Sequence, residues 1–131
     1  MTIEDIKTKI NELPLTPTLP SDVELNQYMN LAELILNLYY TITDEFKESE
    51  DYVNIVALEI SHLLANTPWE DVLAQYNYLS SFSVAGAISG TVAKKYAPYL
   101  SQLVKAYLNG LNIEPIASDN SGKSYYSYSI F

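Results

Sequence analysis

The chain has 131 residues, a length at which one domain can bury a core without cross-links. It contains no cysteine, no arginine and one histidine, and sixteen carboxylates face seven lysines for a net charge of −9. Disulfides, thiolate metal sites and cysteine nucleophiles are excluded, and an acidic, arginine-free chain is a poor binder of nucleic-acid phosphates.

The charge is unevenly spread. Residues 1–71 hold fourteen of the acids and three of the lysines, whereas residues 72–131 hold two acids and four lysines. Charged residues reach only 18% of the chain, below the usual quarter or so, so ion-pair networks are a minor resource. Tyrosine is abundant at twelve. A phenol packs and hydrogen-bonds without changing charge below about pH 10, whereas carboxylate pairs fail near pH 4. Tyrosines can therefore serve acid tolerance, or simply fill helix interfaces.

Apolar spacing follows the helical period along most of the chain. Thr2 with Asp5 predicts a capped first helix, with Ile3, Ile6, Ile10 and Leu13 along one side. Glu4, Asp5 and Glu12 argue against a secretory signal there. Pro14, Pro17 and Pro20 read as a stiff connector more readily than as a ligand for an aromatic groove.

Ser21 and Glu24 predict a capped second helix over 21–42. Its polar strip runs through Asp22, Asn26, Asn30, Glu33, Asn37 and Thr41, and the rest of its circumference is apolar. So broad an apolar arc predicts a central helix, or one that also meets another subunit. Next comes the densest acidic run, Asp44–Asp51. Carboxylate oxygens suit calcium, but the spacing lacks the glycine of a calcium loop, and a solvated loop is the simpler reading.

A third helix is expected over about 50–66, with Val53, Val56, Ala57, Ile60, Leu63 and Leu64 inward. Ile55 and Leu58 then fall on the opposite side, beside Glu59 and His62, and read as a contact surface. His62 has no ligand partner at helical spacing, so a hydrogen-bonded histidine is expected. Thr67-Pro68-Trp69-Glu70 predicts the start of another helix, with Thr67 as cap and Pro68 at its first position.

Residues 72–93 carry no charge, a length close to the roughly 20 residues of a membrane span. Gln75, Asn77 and several serines, with a change of stripe phase, favour two packed helices broken near Ser80–Ser83. Gly86 and Gly90 have the spacing that lets helices approach closely, so lipid contact through 72–93 stays an alternative. Pro98 is expected to begin or kink the last helix, whose stripe of Leu100, Leu103, Val104, Tyr107, Leu108 and Leu111 should dock on the others. Gly110 is expected to end it.

From Pro115 onward the chain is rich in serine and tyrosine. Tyr126, Tyr128 and Ile130 alternate with serines, so the tail is expected to dock on its own domain or to add a strand to a neighbour. Residues 117–124 match a relaxed phosphate-loop pattern but lack the preceding strand and following helix. No glycine elbow surrounds a serine that could use His62, so no enzyme chemistry and no cofactor are expected.

The uninterrupted helical pattern, the uncharged Val72–Ala93 stretch with Gly86 and Gly90, and the Ser124–Phe131 end together carry a resemblance. The chain resembles structural (coat) proteins of archaeal viruses of the Acidianus two-tailed type, from hot acidic springs. The resemblance implies a helical subunit located in the virion, binding copies of itself and other virion proteins, with no catalytic residues.

The expected architecture is all-α: a four-helix-type bundle over residues 1–114 with a short N-terminal helix, and a tail over 115–131. The expected contacts are the 21–42 arc, Ile55, Leu58, Tyr125, Tyr126, Tyr128, Ile130 and Phe131. Acid should discharge Asp44–Asp51 and ease assembly. A small adaptor binding a partner protein, or a membrane-associated helical protein, is the alternative.

Overall fold

The computed structural model describes residues 1–13, 18–85 and 95–116. Among them the fold is all-α, a compact helical bundle. The helices are α1 (Ile3–Glu12), α2 (Asp22–Tyr39), α3 (Glu50–Asn66), α4 (Trp69–Ala85) and α5 (Gln102–Gly110). Tight 3-10 turns over Phe46–Glu48 and Ala97–Tyr99 precede α3 and α5.

Local chemistry sets most of the starts. Thr2 and Asp5 satisfy each other's backbone N–H groups in a full capping box at 3.2 and 3.0 Å. Ser21 Oγ accepts from Glu24 N, and Ser49 Oγ accepts from Tyr52 N. Glu50 and Asp51 then occupy the first turn of α3, where the positive end of the helix dipole favours carboxylates. Part of the acidic run is thus a helix start rather than a loop.

α2 lies centrally, packed on α1, α3 and α4, and buries Leu25, Tyr28, Leu31, Ala32, Ile35 and Leu36. It stops at Tyr39, three residues before the expected end. The β-branched Thr41-Ile42-Thr43 run resists helix, and the backbone finds other partners. Thr41 N donates to Glu114 O at 2.9 Å and Ile116 N donates to Tyr39 O at 2.8 Å. This antiparallel bridge between Tyr40 and Pro115 carries ordered pairing past residue 114, to Ile116.

Three further expectations change. α4 passes through Ser80–Ser83 without a break, as Ser80 and Ser81 hydroxyls donate back to Asn77 and Tyr78 carbonyls within the helix. Thr67 closes α3, its N–H donating to Leu63 O at 2.7 Å, and α4 begins at Trp69. α5 starts at Ser101, whose Oγ accepts from Leu103 and Val104 N–H groups, while Pro98 sits in the preceding turn. Beyond Gly110 it is Asn112, at φ 60°, that takes the left-handed conformation.

Candidate functional site

The α3 face that the sequence leaves outward is an internal joint. Ile55 is 0% exposed and Glu59 is 0% exposed, and Leu58 is half-buried against the core. The segment 97–110 packs on α3 and covers the polar members of this strip. Ser101 N donates to Glu59 Oε1 at 3.0 Å, and His62 Nε2–H donates to the Pro98 carbonyl at 3.0 Å. Further along, Tyr107 Oη donates to Asp51 at 2.8 Å and accepts from Asn54 at 3.1 Å. Helical periodicity identified the strip but not its partner, because a polar strip facing a backbone loop reads like one facing water. Ile55 is therefore removed as a subunit contact. Leu58 floors a narrow cleft of about 230 Å³ with Leu13, Ala57, Asn54 and Tyr107, where α1 and α5 come near α3.

Burial dominates the electrostatics of the joint. It pushes the Glu59 carboxyl well above the ordinary carboxylate range, and the Ser101 N–H pulls it partly back. Glu59 Oε2 has no hydrogen-bond partner among the described residues. Burial likewise raises Tyr52, helped by its bond to Glu33, and holds Tyr96 up at about 12. Tyr96 stacks on Tyr78 at 6.2 Å between centroids, meets Tyr99 edge-on at 5.3 Å and donates to Gln75, fastening the 97–99 turn to α4.

A second, polar cleft of about 410 Å³ lies between α1 and the start of α3. Its charged rim is already engaged: Lys9 pairs with Glu50 at 3.2 Å and with Glu12 at 3.6 Å. Among the described residues, no group of three or more His, Asp or Glu side chains gathers as a metal site. No described helix is long and apolar enough to cross a membrane.

The outer surface keeps large apolar side chains. Leu103 is 67% exposed and Val23 is 73% exposed, and Leu73 and Tyr78 on α4 are also exposed. Leu103 belongs to the stripe expected to dock, but only Leu100, ahead of α5, and Val104 and Leu108 on it are fully buried. Ala106 and Gly110 lie exposed in line with Leu103, and the space around a side chain at Gly110 is open. The expected tail contacts Tyr125, Tyr126, Tyr128, Ile130 and Phe131 lie outside the described residues, as do Gly86 and Gly90.

No protein-family model, curated protein or solved structure matches this chain.

Proposed function

We propose that this chain is a structural subunit that associates with copies of itself, as a coat protein in the virion of an archaeal virus of acidic springs. The observation that carries the reading is the uncovered face of α5. Leu103, Ala106 and Gly110 form a low-profile apolar strip whose opposite side is docked on α3. Small residues at that spacing let a second helix approach closely, and an exposed leucine gives it something to bury. The resemblance in composition and pattern to archaeal viral coat proteins supports the same reading.

The interior suits acid. The interhelix ties from Tyr52 to Glu33, Tyr107 to Asp51 and Tyr28 to the Thr67 carbonyl each use a phenol as donor. A protonated carboxyl still offers a carbonyl oxygen to a phenol, so these ties outlast ion pairs as pH falls. The ion pairs between helices, Lys7 with Asp22 and Lys9 with Glu50, lie at the surface, where such pairs count for little.

Sedimentation of the pure protein against concentration tests the reading. Self-association that Leu103→Lys weakens supports it. A chain that stays monomeric at every concentration and in acid overturns it, and leaves an adaptor for another protein as the better account.

A further inference from the structure

We propose that the contact between Glu59 and the start of α5 is an acid-set latch, closed while Glu59 carries a proton and releasing the first turn of α5 when Glu59 ionises. The inference stands apart from the assembly reading.

The geometry has three parts. Glu59 is wholly enclosed, and its carboxyl touches one donor, the Ser101 N–H. Among the described residues that N–H is the one bond shown from the α5 cap to this carboxyl, while Ser101 Oγ accepts from the Leu103 and Val104 N–H groups. The remaining oxygen, Oε2, has no partner among the described residues. A neutral carboxyl tolerates such a place, with its carbonyl oxygen on Ser101. An ionised one puts a full charge into an apolar interior against a single hydrogen bond, and that is costly enough to drive rearrangement.

Two influences oppose each other at this carboxyl. The positive end of the α5 dipole and the Ser101 N–H favour charge, while burial opposes it, and burial is the larger. Titratable groups on α3 and the elements packed on it include His62 on α3, Tyr99 in the adjoining turn, Lys105 and Tyr107 on α5, Lys9 on α1 and Glu33 on α2. Burial and the Ser101 N–H are the causes of the shift at Glu59, and among the described residues no cation contributes to it.

The first turn of α5 is the part that yields. α5 is the shortest of the helices and packs mainly on α3, whereas α2 is held by three neighbours. Other ties flank that turn without crossing it: His62 holds the Pro98 carbonyl at the surface, Tyr96 holds the preceding turn on α4, and Tyr107 bonds Asp51 and Asn54 further along α5.

The sign follows from linkage. A carboxyl raised in the folded state leaves the latch fully closed below the ordinary carboxylate range. Opening then grows by up to about tenfold per pH unit until the folded-state value is passed.

Amide hydrogen exchange on the whole chain, corrected for intrinsic rates, tests this over about pH 3–8. Protection at Ser101–Val104 should fall as pH rises in the wild type, while Leu31–Ile35 in α2 keeps its protection. Glu59→Gln, neutral at every pH, should flatten the α5 profile. An unchanged slope in that variant, or α2 and α5 losing protection together, would overturn the latch. Infrared spectroscopy gives a second reading that needs no stable variant. The protonated-carboxyl stretch of the wild type should persist above the ordinary range and vanish over the interval in which α5 opens. Its disappearance at ordinary carboxylate pH defeats the proposal.

Discussion

Tyr52 Oη donates to Glu33 Oε2 at 2.6 Å, joining the first turn of α3 to the middle of α2 through a phenol rather than a lysine. The ring is buried and packs edge-on against Phe46 at 6.0 Å between centroids. Tyr52→Phe keeps the ring and removes only the donor. It should cost about 1.5–3 kcal/mol while Glu33 is ionised and about 0.5–1.5 kcal/mol once carboxyls are protonated. Urea denaturation of both proteins at neutral pH and in acid measures the difference. An equal loss under the two conditions would show that the carboxylate's charge plays no part.

The tyrosine cluster predicts an alkaline limit. Tyr96 is buried and held at about 12, above its ordinary value of 10. The neutral phenol is favoured by folding, so its contribution is complete below about pH 10 and is lost as pH rises through about 12. Tyrosinate absorbance should therefore appear in two stages, exposed phenols first and Tyr96 together with unfolding. In Tyr96→Phe, unfolding should move to higher pH and its tyrosinate step should shrink by one phenol, the other buried tyrosines such as Tyr52 still ionising with it.

Two leucines of one helix should behave oppositely. Leu108 is fully buried against the core, and Leu108→Ala should cost about 2–5 kcal/mol. Leu103 faces outward, and Leu103→Lys should leave the stability of the monomer within about 0.5 kcal/mol. Thermal melts of dilute protein check both values. Only the second substitution should weaken self-association without weakening the fold.

The acidic run predicts a pH-dependent assembly. Asp44, Glu45 and Glu48 are exposed and lie together ahead of α3, so in the proposed assembly neighbouring subunits should repel through them at neutral pH. Light scattering should rise as pH falls from about 7 to 2, and added salt should imitate acid by screening. Asp44→Asn with Glu45→Gln and Glu48→Gln should assemble at neutral pH as the wild type does in acid. Assembly indifferent to pH, or stronger at neutral pH, would remove this role.

Much of the fold was legible in residue spacing. Thr2 with Asp5 and Ser21 with Glu24 mark helix starts because capping is a local hydrogen bond, written in a few adjacent residues. The buried stripe Val56, Ile60 and Leu63 is equally local, since helical period alone brings it to one face. What escaped depends on partners distant in the chain. Ile55 and Glu59 read as exposed because nothing near them in sequence announces that the strip will be buried, with Ser101 on Glu59 and Pro98 on His62. Leu103 read as docked because its period matches Val104 and Leu108, although a short helix on one neighbour can bury only part of its circumference. The end of α2 at Tyr39 was hidden for the same reason: its backbone partners, Glu114 and Ile116, come from the far end of the described chain.

The bridge between Tyr40 and Pro115 fastens the chain just after α5 to the close of α2. Any peeling of α5 is thereby confined to its leading end, with Asn112 as the pivot. The helix would swing like a gate whose post stands beside the acidic run, and a label placed on its first turn, near Gln102, would sweep the widest arc.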